Sequence, residues 1–237
     1  MIKIGICGFS TSKRKIYSKL KLLEIQKSFY QPGQIETYIR WRNEAPKDFE
    51  FTVKAWQGLT HDIKSPTWRR FKGSLYGEPS NYGGLRLNNE TRYAIKKSIE
   101  ICRAVGSSKL VIQLPPKLEW REYMIDTLKY ISQYGYTICL EPRNKSWFTG
   151  NVQEILRRLE IVFVTDPFKD GIIDLNNDLI YLRLHGIGGY RYRYTENDLK
   201  RLIQMVNKYI DRDIYILFNN VYMYEDALTL LNLVREA

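Results

Sequence analysis

The chain has 237 residues, 44% of them hydrophobic and 27% charged, enough for one large core or two modest ones, which excludes a disordered chain, a collagen-like repeat and a disulfide mini-scaffold. Its 37 Lys and Arg against 26 Asp and Glu leave a formal charge of +11, which favours anionic partners without naming one. The excess is regional, with 22 basic and 9 acidic residues in 1–118 against 15 and 17 in the remainder, and marks either a binding face or the basic composition that thermophile proteins also show.

Short β-branched or apolar runs, each closed by a polar, Gly or Pro cluster, recur with room for a helix between them. In chain order they predict strands over 2–7, 22–26, 49–55, 109–114, 137–141, 161–166, 179–185 and 214–219. Amphipathic spacing predicts helices over 91–105, 121–133, 152–159, 196–209 and 224–234. Strand followed by helix, eight times over, predicts an α/β chain folded as a (β/α)8 TIM-type barrel, with 1–237 as a single domain and a doubly wound open sheet as the competing arrangement. Two connections exceed the minimal repeat. Residues 56–89 form a long loop after the third strand, rich in Gly, Pro, Ser and aromatics, a length that suits a lid or binding loop. After the seventh strand, His185-Gly186-Ile187-Gly188-Gly189 runs into Tyr190-Arg191-Tyr192-Arg193-Tyr194.

Barrel strands buried on both faces are apolar throughout, so polar residues within these runs need a reason. They gather at the C-terminal ends: Glu24 and Gln26, Lys54, Gln113, Glu141, Asp166, Arg183 and His185, and Asn219, in one phase of the two-residue strand period. In a (β/α)8 barrel that end is the mouth, where many strands aim side chains at one point and active sites form.

Glu141 and Arg143, two residues apart, offer a general base or metal ligand beside an anion clamp, or a structural ion pair. Arg183 and His185 repeat the spacing as a second anion ligand and a proton shuttle, against the ordinary alternative of a satisfied structural histidine. The turn at 186–189, with Gly188 at its centre, presents backbone amides to an oxyanion or simply turns the chain, and Arg191 and Arg193 stand close behind. The Tyr-Arg alternation fits base or sugar stacking with phosphate contacts, and equally a packed edge segment. The long loop interleaves Trp56, His61, Trp68, Arg69, Arg70, Phe71, Lys72, Tyr76 and Tyr82, which suits a polyanion or an aromatic anchor for the loop itself.

Cys7, Cys102 and Cys139 form no CxxC pair and read as free buried thiols in a reducing compartment. Cys7 has no neighbour in sequence that would activate it. The first residues lack a basic region followed by an apolar one, and no apolar run reaches the roughly 18 residues of a membrane span, so the expectation is a cytoplasmic protein with no membrane partner. The 2 histidines and 3 scattered cysteines cannot build a multi-zinc cluster. A single Mg²⁺ or Mn²⁺ on Glu141, Asp166 or Glu24 remains open, and no nucleotide or flavin motif follows a strand.

The successive segments Ile4-Gly5-Ile6-Cys7-Gly8-Phe9, Glu24-Ile25-Gln26-Lys27-Ser28-Phe29-Tyr30, Phe51-Thr52-Val53-Lys54-Ala55, Gln113-Leu114-Pro115-Pro116, Glu141-Pro142-Arg143-Asn144-Lys145-Ser146-Trp147, Arg183-Leu184-His185-Gly186 and Phe218-Asn219-Asn220 resemble, in order, the motifs of the DUF72 (YecE-like) family. The resemblance implies a TIM-type barrel and, by motif position, a site that keeps Lys54, Gln113, Glu141, Arg143, Arg183, His185 and Asn219. It supplies no activity, because the family is named for lacking one. Phe9 stands where the family usually has Trp, Gln26 where it has Asn, and Asn144 where it has His, so a family mechanism needing an imidazole after the fifth strand fails here.

These residues lead to an expected enzyme, a hydrolase or lyase, that holds an anionic, phosphate-bearing substrate through Arg143, Arg183 and the turn containing Gly188, with Arg191 nearby. Glu141 and His185 form its acid–base pair, Lys54 supplies electrostatic support, and Gln113 and Asn219 orient the substrate. The alternatives are a nucleic-acid-binding protein with or without nuclease activity, and a barrel that binds a metabolite without chemistry.

Overall fold

Eight parallel strands surround one axis: β1 (Ile2–Cys7), β2 (Leu22–Ile25), β3 (Glu50–Lys54), β4 (Lys109–Gln113), β5 (Thr137–Glu141), β6 (Val162–Phe163), β7 (Leu179–Leu184) and β8 (Asp213–Phe218). The computed structural model describes residues 1–236. The strands pair in the order β6-β5-β4-β3-β2-β1-β8-β7. The two remaining edges meet through a bridge between Thr165 and Leu182, where the Arg183 amide donates to the Thr165 carbonyl at 3.0 Å. The sheet thus closes as a (β/α)8 barrel, and the open-sheet alternative, which needs two free edges, is set aside.

Helices α1 (Lys13–Lys19), α2 (Lys27–Tyr30), α3 (Ile35–Glu44), α4 (Asn89–Val105), α5 (Met124–Ser132), α6 (Gly150–Arg158), α7 (Glu196–Val206) and α8 (Met223–Glu236) occupy the connections. The longest, α4, shows why its sequence is helical. Asn88 and Thr91 form a reciprocal capping box, Ile95, Ile99 and Cys102 recur on the buried face, and Gly106 ends the helix in the left-handed conformation. Helices α1 to α3 escape the periodicity because they bury so little: only Ile16 and Tyr17 in α1 and only Tyr38 in α3. Strand β6 is two residues long where six are expected. At the seam the chain leaves β5 before it meets β7, with Val164 still donating to Leu140 and Thr165 already bridging β7. No helix among the described residues is long and apolar enough to cross a membrane.

Alternation along the strands sorts the interior. Ile4, Ile6, Phe51 and Val53 face the helices, while Leu22, Val111, Cys139, Val164, Tyr181 and Leu217 fill the barrel. All three cysteines are free and buried. The N-terminal end of the barrel is plugged by Glu50, which accepts from Lys3 at 2.6 Å, Lys109 at 2.8 Å and the Tyr215 hydroxyl at 2.6 Å. Burial alone would raise the Glu50 carboxyl, but these three donors hold it below its ordinary value. Replacing it leaves two cations facing each other, so Glu50→Ala is expected to cost about 2–3 kcal/mol, somewhat less than a fully buried pair because the side chain keeps 19% exposure. The contribution is complete above the ordinary Glu pKa and is lost as pH falls through the lower folded value, so urea unfolding of the two proteins should converge on acidification.

The long third connection is a packed cap. Trp56, Trp68 and Tyr82 are buried, with the Trp56 ring 5.8 Å from Trp68 and 5.6 Å from Tyr82. In the segment after β7, Tyr194 is buried and Tyr192 donates to Asp198 at 2.7 Å. For these rings the packing alternative holds, while Tyr76 and Tyr190 of the same two segments remain exposed.

Candidate active site

Because all eight strands run parallel, their C-terminal ends open on one rim, and the inward phase of each delivers its last polar side chain there. A cavity of about 960 Å³ sits over the rim, lined by Lys54, Gln113, Glu141, Arg143, His185 and Asn219, with the 186–189 turn along one wall. Residues from β3, β4 and β5 and from the segments following β5, β7 and β8 therefore meet at one place.

Arg183 does not line it. This side chain is wholly buried beneath the floor, donating from Nη2 to Glu24 at 2.9 Å and from Nη1 to Glu141 and, at 3.3 Å, to Gln113. The expected anion ligand is instead an internal counter-ion for two carboxylates: both terminal nitrogens are committed below the floor, and the remaining Nε–H is buried without a partner, so no part of the guanidinium reaches the cavity. Arg191 is likewise out of place as a ligand, exposed and outside the cavity wall. Besides Lys54 and Arg143, the basic residues on that wall are Arg70, which covers the Tyr30 ring at 3.5 Å, and Lys169. Lys169 carried no sequence signal, since a lysine after a strand looks like any surface lysine.

Glu141 is the hub. One oxygen meets Arg183, the other accepts from His185 Nε2 at 2.7 Å and from Arg143 at 3.4 Å. Burial pushes its carboxyl upward, but Arg183, then His185 and Arg143, hold it well below the usual carboxylate range. The Asn219 amide nitrogen donates to His185 Nδ1 at 3.2 Å, which assigns the hydrogen of the neutral ring to Nε2, pointing at Glu141. The His185 backbone is pinned in turn, its amide donating to Asp166 at 2.8 Å.

The carboxylates considered for a divalent cation are all committed. Glu24 accepts from Arg183, Gln26 and Tyr181, Asp166 from the amides of His185 and Phe168, and Glu141 from its three cationic or imidazole neighbours. Among the described residues no group of three or more His, Cys, Asp or Glu has the arrangement to hold a metal ion.

In the glycine turn, Gly186 has φ +93° and a β-carbon there would collide with the Gly189 carbonyl, which is why only glycine fits. The Gly186 amide donates to Tyr194 and that of Gly189 to Gly186, leaving Ile187 and Gly188 without a protein acceptor among the described residues. The expected cradle of successive amides is thereby reduced to two. His61 is buried in the long loop with its Nδ1 2.8 Å from Thr60 Oγ1. Burial first, then Lys54 and Arg143, push it down to about 4. Cys7 lies beneath the mouth, and burial drives its thiol strongly upward, as suits a core residue rather than a nucleophile.

A second lobe of about 730 Å³ adjoins the first across Gln26, Tyr30, Arg70 and Tyr190, and its far wall includes Phe9 and Trp41, edge to face at 4.9 Å. Its walls gather single residues from the ends of β1 and β2, from α2, α3 and α8 and from the loops between them, a set that no one stretch of sequence displays.

Comparison with known proteins places the chain. The sequence profile described as "Protein of unknown function DUF72" matches residues 12–237. The UPF0759 protein YunF of Bacillus subtilis (strain 168) is 25% identical over 270 aligned positions, covering 93% of this chain and 89% of that one. Among solved structures, a DUF72 family protein from Enterococcus faecalis V583 superposes with a TM-score of 0.78 at 18% identity, covering 99% of this chain and 96% of the other. Another from Thermotoga maritima MSB8 gives 0.75 at 21% identity, covering 99% of each.

Proposed function

Since the chain belongs to the DUF72 family, whose description assigns no activity, we propose its function from the site itself: an enzyme, a lyase or hydrolase, performing acid–base chemistry on a small anionic, phosphate-bearing substrate at the C-terminal mouth of the barrel. The observation that carries this reading is the chain of contacts Glu141–His185–Asn219 opening on a cavity of about 960 Å³, a size suited to a small molecule. Glu141, kept ionised by Arg183, fixes the imidazole and balances the charge it gains as an imidazolium. Nδ1 is covered only by the Asn219 amide at 3.2 Å, a contact that a substrate hydroxyl can replace, and so is the atom that takes and returns the proton.

Arg143 supports the anionic end. Its side chain keeps 33% exposure and makes one 3.4 Å contact with Glu141, leaving guanidinium donors for a phosphate together with Arg70, Lys169 and the Gly188 amide. A screen of small phosphorylated carbonyl and hydroxy compounds, read first by thermal shift and then by turnover, tests the proposal. A compound that binds should be displaced by inorganic phosphate, and Arg143→Ala should weaken it about 10- to 100-fold, as for loss of a charged hydrogen bond. Unchanged affinity in that variant would remove the anion site. Binding only to single-stranded oligonucleotides, with affinity collapsing between low and moderate salt and no competition by phosphate, would overturn the reading in favour of a nucleic-acid partner.

A further inference from the structure

Lys54 has no part in the proton path just described. It ends β3 at 5% exposure, with its ammonium nitrogen 4.0 Å from the centre of the Phe29 ring. Its carbonyl accepts from Ser28 at 2.6 Å, which fastens α2 and the Phe29 ring beneath it. A buried lysine is ordinarily paired. This one forms no hydrogen bond or ion pair among the described residues, although Glu24 and Glu141 lie on nearby strands, because Arg183, Gln26, Tyr181, His185 and Arg143 already occupy those oxygens. The side chain opens on the cavity.

The charged and titratable groups around it come from every side: Glu24 on β2, Glu141 and Arg143 at the end of β5, Arg183 on β7, Cys7 on β1 and His61 from the long loop. Burial acts first against the ammonium, then Arg183, with the two carboxylates opposing, and the result is an amine brought down to about 7.

We propose that Lys54 is a nucleophile that forms an imine with the carbonyl carbon of the substrate. This rests on the reading of the mouth as an enzyme site, and it sharpens the substrate class to a phosphate-bearing aldehyde or ketone and the reaction to a lyase type. The lone pair on Nζ forms a bond to the carbonyl carbon as the C=O π pair moves to oxygen, and a proton passes from nitrogen to that oxygen. A second proton, from the His185 imidazolium, lets the hydroxyl leave as water while nitrogen completes the C=N bond. The bond between the next two carbons then breaks, its electron pair forming a C=C bond as the C=N π pair returns to nitrogen, and His185 takes the proton released with the leaving fragment; the enamine carbon takes that proton back from His185, which restores the protonated imine, and water returns the free amine by the reverse of its formation. No oxidant or reductant is required.

Formaldehyde with cyanoborohydride tests this on the full chain, because it forms and reduces an imine at any accessible neutral amine. At pH 7, Lys54 is expected to be methylated at least about tenfold faster than exposed lysines such as Lys117 and Lys129, since an amine titrating near 7 is about 1000-fold more neutral there than an ordinary lysine. The advantage should vanish near pH 10. A rate at pH 7 equal to or below that of the exposed lysines overturns the proposal. Lys54→Arg keeps the positive charge but cannot form an imine, so turnover that survives in that variant reduces Lys54 to electrostatic support and also overturns it. The labelling needs neither the substrate nor the acid–base pair. If Lys54 labels first while Glu141→Gln leaves turnover intact, the acid–base reading fails and the imine stands; the opposite pattern leaves the acid–base reading and removes the imine.

Discussion

Arg183→Met should destabilise the protein by about 3–5 kcal/mol at neutral pH, the cost of stranding buried charge, which for a chain of this size lowers Tm by roughly 6–20 °C. The methionine fills much of the space, so the loss is electrostatic rather than a cavity effect. Glu24 and Glu141 are both buried and both take Arg183 as a partner; without it Glu24 keeps only the neutral donors Gln26 and Tyr181, and Glu141 keeps His185 and the longer contact to Arg143. The sign with pH is fixed by the same carboxylates. In the native protein the Glu141 carboxyl is held well below its ordinary range, so its stabilising contribution is complete above the unfolded value and is lost as pH falls through the folded one. In the variant, burial is no longer opposed by Arg183, the largest of the lowering influences, and the carboxyl titrates upward, so acidification relieves it. Urea unfolding should therefore show a large gap between the two proteins at pH 7 that narrows toward pH 4. Adding Glu24→Gln to Arg183→Met should recover part of the loss, a coupling expected of groups in one network. A single-variant loss under about 1 kcal/mol at pH 7 would refute the counter-ion account of Arg183.

Glu141→Gln should lower kcat on a substrate from the screen by about 10²- to 10⁴-fold, the usual worth of a positioned acid–base group. The amide oxygen can still accept from His185, so the ring keeps its orientation, but the charge that balances the imidazolium is gone. His185→Ala should lose a similar factor, and the double variant little more, because the two act as a unit. KM should change far less than kcat, since the phosphate is held elsewhere. The variant also leaves Arg183 with one carboxylate fewer, so assays belong at a temperature where urea or thermal unfolding shows it folded. The pH profile carries a further signature. Glu141 stays ionised throughout the neutral range and contributes no limb there, whereas a reaction through the neutral amine of Lys54 should speed up as pH rises through about 7. A kcat within threefold of the parent in both single variants would end the acid–base assignment.

Much of the barrel is legible along the chain because a strand announces itself locally. β-branched runs with a two-residue period mark β1, β5 and β8 to within a residue, and α4 carries its own caps and stripe. The segments that escape are those whose sequence says little on its own: α1 and α3, with one or two buried residues apiece, and β6, whose length is set by where the sheet closes. The loop aromatics are visible as aromatics, but whether they face a partner or one another depends on how the loop folds back on α4.

Along the chain alone, seven of the eight strands end in polar residues of one phase, which sets Lys54, Gln113, Glu141, His185 and Asn219 on a common rim, since period and direction are properties of each strand. What those residues do to one another is settled where the strands converge. Arg183 turns from substrate clamp into buried counter-ion because Glu24 and Glu141, 159 and 42 residues away in sequence, converge on it across the barrel. Lys54 is left without an ion-pair partner among the described residues for the same reason: the carboxylates that would have held it are already taken. Charge pairing in a closed barrel is settled by distance and desolvation between strands, quantities that no single stretch of chain contains.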